Sequence, residues 1–105
     1  MFKFLYMGKQ LSSFDGEIHR VAIFYKPNNS RHWQALYTVN SEELGLASIK
    51  AKRRDEEHHS DDQRMAYRVL IERARKDAGN DAKLMAWCDE QWKIHKLDDV
   101  KPKEV

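Results

Sequence analysis

The chain has 105 residues, of which 41% are apolar, 10% aromatic and 34% charged. This length fits one domain and excludes a multidomain enzyme, and this composition excludes an intrinsically disordered chain. Nineteen basic and seventeen acidic residues leave a formal net charge of +2, too balanced for a protein whose whole surface binds nucleic acid.

Cysteine content and hydropathy bear on the compartment. Cys88 is the only cysteine, so the chain cannot close an internal disulfide, which is typical of proteins in a reducing compartment. The apolar start of the chain is too short for a signal peptide, and no apolar run approaches the ~20 residues that span a bilayer. We therefore expect a cytoplasmic protein that does not enter a membrane.

The first forty residues predict three strands. Residues 2–6 alternate aromatic and other side chains, which places an aromatic row on one face of a strand, and Gly8 is expected to begin a loop. Residues 17–26 are rich in β-branched and aromatic side chains, and residues 33–39 alternate again after a turn of Pro, Asn and Ser. Strands joined by short loops predict an antiparallel meander.

From residue 40 onward the apolar spacing becomes helical. A weak first helix is expected where a serine cap precedes two glutamates, a second where Ser and Gln form a capping box, and a third after a glycine stop. The residues concerned are Ser41, Ser60 with Gln63, Gly79, and either Asn80 or Asp81 as the last cap.

These elements predict an α+β fold in which an N-terminal three-stranded antiparallel β-meander packs against two or three C-terminal helices on one sheet face. We expect a single domain over residues 1–97 and a polar, frayed C-terminal tail over residues 98–105.

One segment combines carboxylates with imidazoles, the groups that bind zinc and other divalent ions. It spans residues 55–62 and includes His58 and His59. Its candidate ligands are nearly consecutive, so few of them can point at one ion, and Asp61 and Asp62 suit the N-terminus of the second helix. We expect a structural linker, with no metal and no cofactor.

Catalytic motifs are absent from the sequence. It contains no glycine-rich phosphate loop, no nucleophile elbow and no Cys and His pairing at a catalytic spacing. Cys88 lies among apolar residues of the third helix, which is typical of a buried thiol in a protein core. We therefore expect a protein that is not an enzyme and assign no catalytic residue.

Large aromatic side chains are more numerous than a three-stranded sheet covered on one face is expected to bury. Exposed aromatic rings and open strand edges commonly bind proteins. A protein partner, or a second copy of the chain, is therefore expected to contact Phe4, Tyr6, Tyr25, Trp33 and Tyr37.

Basic residues support an alternative partner, nucleic acid. A polar hairpin tip with an adjacent tryptophan, together with arginines expected on the exposed side of the second helix, could meet phosphates and stack a base. The residues are Lys26, Arg31, Arg53, Arg54, Arg64, Arg68 and Arg75.

The function expected from these patterns is non-enzymatic. The chain has the character of a small regulator or inhibitor, of the type found among phage and mobile-element accessory proteins, that occupies a surface of a larger protein. The alternative function is that of a nucleic-acid-binding accessory domain.

Overall fold

The computed structural model describes residues 1–11, 17–45 and 61–100. A three-stranded antiparallel sheet of order β1-β2-β3 is followed by two α-helices and one turn of 3₁₀-helix. The elements are β1 (Phe2–Leu11), β2 (Glu17–Tyr25), β3 (Gln34–Asn40), α1 (Asp61–Ala78), α2 (Ala82–Ile94) and the 3₁₀-helix (Leu97–Asp99). The predicted α+β class, with an N-terminal meander and C-terminal helices, is confirmed.

Strand β1 is longer than its sequence pattern indicates. A loop is expected from Gly8, whereas the strand continues to Leu11, which lies opposite Glu17. The pairing register shifts between Tyr6 and Gly8, so the strand contains a bulge at this point. A glycine within a strand pattern can mark a bulge as well as a turn, and here the bulge lets pairing with β2 resume.

One face of the sheet carries the aromatic row and meets the helices. Phe4 lies opposite Ile23, and Ile23 lies opposite Tyr37, so the three strands contribute side chains to the same face. This face and the apolar stripes of both helices form the core. Its fully enclosed members include Val21, Ile23, Val39, Leu44, Leu70, Ile71, Cys88 and Leu97.

Helix α1 is amphipathic and begins with two acidic residues, which suit the positive end of its dipole. Ala66, Leu70, Ile71 and Ala74 form its buried stripe. The helix ends before Gly79, where an added Cβ would lie 2.7 Å from the carbonyl oxygen of Arg75. Close approach of the backbone therefore accounts for glycine at the predicted stop.

Asp81 is the N-cap of α2, as one of the two predicted alternatives requires. Its carboxylate accepts a hydrogen bond from the backbone N–H of Leu84 at 3.1 Å. Leu84 and Cys88 are the buried positions of this helix. The cap thus begins the turn that places Cys88 in the core.

The predicted start of a helix at Ser41 is wrong. Residues 41–45 form turns, and the reciprocal backbone-to-side-chain bonds expected of a cap join Asn40 and Glu43 instead. The Ser41 hydroxyl is buried and accepts a bond from the N–H of His19 in β2, so it is not available to cap a helix. The rest of that helix, the linker from residue 55 to residue 60, and the Ser60 cap lie outside the described residues.

The chain beyond α2 packs against the fold. Leu97 is fully buried, the turn of 3₁₀-helix includes Asp98 and Asp99, and Val100 is 6% exposed. Asp98 and Asp99, the first residues of the predicted polar tail, are exposed, and residues 101–105 of that tail lie outside the described residues. The carbonyl oxygen of Val100 accepts a hydrogen bond from Arg68 of α1, which ties this end of the chain to the helix.

Candidate binding surface

Phe4, one of the five aromatic residues predicted to bind a partner, lies under the helices. Its ring stacks on Tyr67 of α1, with centroids 4.0 Å apart, and lies 4.8 Å from Trp87 of α2. Phe2, at the next position on the same face, contacts Trp87 at 5.7 Å. The helices thus take up much of the surface of these two rings.

Three more of the predicted residues also lie on the helix-covered face. Tyr6 forms a hydrogen bond between its hydroxyl and Nδ1 of the buried His19, at 2.6 Å. Tyr37 donates its hydroxyl to Asp77 of α1 at 2.8 Å. Tyr25 lies opposite Phe2, with ring centroids 5.1 Å apart. The Tyr37 contact joins the sheet to α1, and the other two join β1 to β2.

Trp33 is the exception, because it lies on the other side of the sheet. The Nζ of Lys3 lies 4.0 Å from the centroid of its ring, and the Nζ of Lys26 lies 5.4 Å away. Lys3 pairs with Phe24, and strand alternation places both opposite to the aromatic row. The open face is defined here by Lys3, Leu5, Phe24, Lys26 and Trp33.

No helix among the described residues covers the open face, and it exposes apolar side chains. Leu5 is 41% exposed, and Phe24 is partly exposed. Leu36 is exposed as well, but it lies at the register shift of β3, which breaks the alternation that would assign it to a face. Sequence reasoning did not single out Lys3 and Leu5 as candidate contact residues. The signal that could have found Lys3 and Leu5 is the strand alternation itself, which puts them on the face opposite to the aromatic row.

The two lysines of the open face, Lys3 and Lys26, form no ion pair with an acidic group of the described residues. Within residues 1–11, 17–45 and 61–100, every ion pair that the structure contains uses an arginine, so neither ammonium group has a carboxylate partner there. The ring of Trp33 partly offsets the charge through cation–π attraction. The open face is therefore apolar with a cationic, aromatic part.

The alternative hypothesis expected Arg64 and Arg68 on an exposed side of α1, but both side chains are largely enclosed. Their side chains are only 16% and 20% exposed. Arg64 donates to the carbonyl oxygens of His95 and Lys96, and Arg68 donates to those of Leu97 and Val100. The last carbonyl groups of an α-helix lack partners within that helix, and Arg64 bonds the one at His95. The carbonyls of Lys96 and Leu97 each accept a guanidinium hydrogen bond in addition to one from a backbone N–H of the 3₁₀ turn.

The remaining predicted basic residues are dispersed. Arg75 pairs with Asp89 of α2 at 2.8 Å and lies 4.6 Å from the ring of Trp92, on the helical side of the molecule. Arg31 is exposed in the loop before β3, near Lys26 in sequence. Arg53 and Arg54 lie outside the described residues. The structure thus brings together Lys26 and Trp33 of the alternative site, with Lys3 added.

A shallow cleft of about 270 Å³ lies beside β1, between the free edge of the sheet and α2. Phe2, Phe4, Tyr67, Trp87 and His95 supply rings to its lining, and Lys3 and Gln91 complete it. The Nε2 of His95 lies 3.2 Å from the Oε1 of Gln91, so the rim of the cleft is polar at these two residues.

Chemically reactive groups are sparse in the described part of the chain. Burial raises the pKa of the Cys88 thiol to about 11, so the thiolate needed for nucleophilic attack is scarce near neutral pH. In residues 1–11, 17–45 and 61–100, no three His, Cys, Asp or Glu side chains are placed to share a metal ion. No helix in these ranges has the length and apolar character needed to cross a bilayer. Most of the histidine-rich segment, residues 55–60, lies outside them.

Comparison of the chain with protein-family models, with curated proteins and with solved structures finds no match, so the geometry of these surfaces is the basis on which a function is proposed.

Proposed function

We propose that this protein is a small, non-enzymatic binding protein that acts by covering a surface of a larger protein with its open face. The observation that carries the proposal is the exposure of Leu5 beside the Lys3 and Trp33 pair, on a sheet face that no described helix covers. A regulator or inhibitor of this size acts by occupying a surface, because it has little volume for a deep active site.

The chemistry of the open face defines the partner surface. Leu5 and Phe24 would be desolvated against apolar side chains, which supplies the non-directional part of the binding free energy. Lys3 and Lys26 have no described carboxylate partner, so acidic groups flanking that apolar patch would meet them. The partner is therefore a protein with an apolar patch bordered by Asp or Glu.

The test compares Leu5→Glu with Lys76→Glu, a matched control at an exposed position of α1. Zero-length carbodiimide cross-linking, which joins lysine amines to carboxylates, identifies the partner and the contact positions in a cell extract. We expect the wild type and Lys76→Glu to form the same cross-links from Lys3 and Lys26, and Leu5→Glu to lose them. A partner that Leu5→Glu retains would overturn the proposal.

Self-association is examined first, by measuring mass in solution across concentrations. A dimer that Leu5→Glu dissociates and Lys76→Glu does not would show that the open face binds a second copy, and it would replace the foreign partner. A mass that stays at 12.5 kDa, with the cross-links above, supports the proposal.

Nucleic acid is the second candidate, favoured by the arrangement of two lysines around Trp33 on one face. Single-stranded nucleic acid binds where cations meet the phosphates and an aromatic ring stacks on a base. Its affinity would fall steeply with salt. Trp33→Ala should weaken such binding, while Trp92→Ala, on the helical side, should leave it unchanged; no binding of DNA or RNA at low ionic strength would exclude it.

A further inference from the structure

Alternate residues of β1 bond to β2 through their backbone groups, and the backbone groups of the residues between them point away from β2. The backbone of Met1 exchanges both hydrogen bonds with Lys26 of the neighbouring chain segment, at 2.9 and 3.2 Å. Opposed residues in an antiparallel pair alternate between bonded and non-bonded, so Lys3 also bonds to β2 while Phe2 and Phe4 do not. The N–H and C=O groups of Phe2 and Phe4 therefore point away from the sheet, toward its free edge.

The two edges of the sheet differ in this respect. At the β3 edge, the outward carbonyl of Thr38 accepts a hydrogen bond from Arg73 of α1 at 2.8 Å, and Glu43 pairs with the same guanidinium. At the β1 edge, no group in the described part of the chain bonds the outward backbone of Phe2 or Phe4. An edge with unpaired backbone groups is a template for another strand.

The cleft beside β1 supplies the side-chain site that such a strand needs. A strand added about 4.8 Å from β1 would place the side chain opposite Phe4 on the helix-covered face. That side chain would enter the cleft between Phe4, Tyr67 and Trp87. The cleft is lined by the stacked rings of Phe4 and Tyr67 and the tilted ring of Trp87. An apolar or aromatic side chain suits such a lining, because it can pack against the rings without leaving a polar group unpaired.

The residues on either side of that position would point to the opposite face, toward Lys3 and Leu5. Since Lys3 has no carboxylate partner among the described residues, acidic side chains at these positions complement it. We propose that the β1 edge binds an extended peptide segment of a partner protein as a fourth strand, with an apolar side chain in the cleft and carboxylates at the flanking positions. Backbone pairing supplies the affinity, and the cleft supplies the specificity.

The edge and the open face share Lys3 and Leu5, but their tests are independent, because strand addition is judged by the backbone groups of Phe2 and Phe4. Leu5→Glu tests the open face, whereas the edge is tested by the backbone of Phe2 and Phe4 and by Trp87. A partner that engages the open face without adding a strand leaves the outward amides of Phe2 and Phe4 unprotected.

The probe is a short acetylated and amidated peptide that alternates glutamate with phenylalanine, titrated into the full chain and followed by amide hydrogen exchange in NMR. Exchange of the outward amides of Phe2 and Phe4 should slow by about tenfold or more on binding, because each gains a hydrogen bond. The Leu5 amide already bonds to β2 and should not change. Absence of binding, or binding without protection of Phe2 and Phe4, overturns the proposal.

Two controls separate backbone pairing from simple insertion of a side chain. The same peptide N-methylated at its phenylalanines, whose N–H groups face β1 when one of them lies opposite Phe4 in an antiparallel pair, keeps its side chains but loses the pairing donors. Its affinity should fall by about tenfold or more. Equal affinity of the two peptides overturns the proposal, whether or not any protein variant folds. A peptide with lysine in place of glutamate should also bind more weakly, and equal affinity would overturn the charge assignment.

The matched protein variants are Trp87→Ala, which enlarges the cleft, and Trp92→Ala, on the same helix but against Arg68 and Arg75. Only Trp87→Ala should lower the affinity for the peptide. An equal loss of affinity in both variants would overturn the assignment of the cleft as the side-chain site. A dimer in which the Phe2 and Phe4 amides are protected without peptide would show that the edge binds β1 of a second copy of the chain. That result would overturn the proposal that a segment of another protein binds there.

Discussion

Phe4 on β1 and Tyr67 on α1 stack with their ring planes 13° apart, and this contact joins the sheet to the helices. Both rings come from segments that are more than sixty residues apart in the sequence. The pair therefore links the first strand of the chain to a helix that forms much later, and it places an aromatic ring that looked available for binding inside the fold.

Removing this contact should destabilise the protein. Phe4→Ala is expected to lower the free energy of unfolding by about 2–3 kcal/mol, since it deletes a partly buried ring at the sheet–helix interface. Leu5→Ala, at the next position but on the open face, should cost about 1 kcal/mol or less. Urea unfolding monitored by circular dichroism measures both, and equal losses for the two variants would contradict the difference between the faces.

Arg68 is expected to act on stability. Arg68→Ala removes charge-assisted bonds to the carbonyls of Leu97 and Val100, so the free energy of unfolding should fall by about 2 kcal/mol. Lys76→Ala, at an exposed position near the end of the same helix, should change it by less than about 0.5 kcal/mol. If Arg68→Ala left stability intact, the carbonyl contacts would have no energetic role.

The cap of α2 has its own test. Asp81→Ala loses the bond from the Leu84 N–H and should lower the free energy of unfolding by about 1 kcal/mol. Asp81→Asn keeps an acceptor oxygen and should retain most of the stability that the cap contributes. Thermal unfolding of both variants gives the comparison. An Asn variant as unstable as the Ala variant would indicate that charge, not capping, is what matters there.

Alkaline pH should destabilise the fold through Cys88 and Tyr67. Burial raises the pKa of Cys88 to about 11 and that of Tyr67 to about 12. The folded state then holds these protons at pH values where the unfolded chain has lost them, so stability is intact below the unfolded pKa values, near 9 and 10, and declines as pH rises toward 12.

The free energy of unfolding measured from pH 7 to pH 11 checks this direction, and Cys88→Ala should flatten the part of the decline that begins near pH 9. The same burial predicts that a thiol reagent reacts slowly with the native protein and quickly in urea. Rapid labelling of the native protein at neutral pH would show that the thiol is accessible.

Local patterns in the sequence were sufficient for the order and type of β1, β2, β3, α1 and α2. Period-two alternation predicted three strands, and the apolar spacing after residue 60 predicted two helices, because these periods follow from the geometry of each element alone. Gly79 was identifiable as a stop from its residue type, whereas the cap of α2 stayed open between Asn80 and Asp81 until the structure showed the Asp81 carboxylate bonded to the Leu84 N–H. The bulge after Tyr6 was missed, since a glycine in a strand signals either a bulge or a turn until the partner strand is known.

The candidate surface depended on contacts between distant segments. Alternation shows that Phe4 and Lys3 lie on opposite faces of β1, but it does not show which face the helices cover. Charge patterning likewise placed Arg68 on the polar side of α1, while the carbonyls that bind it come from a turn about thirty residues later.

The sequence by itself determined the α+β class, the antiparallel meander and the faces of each element, because side-chain periodicity is a local property. Only the tertiary structure decided that four of the five predicted aromatic residues face the helices and that Trp33 meets Lys3 and Lys26 on the open face. It also decided that, among the described residues, no strand pairs with the outer edge of β1. The physical reason is that burial and backbone satisfaction are set by which elements pack together, and those partners are far apart along the chain.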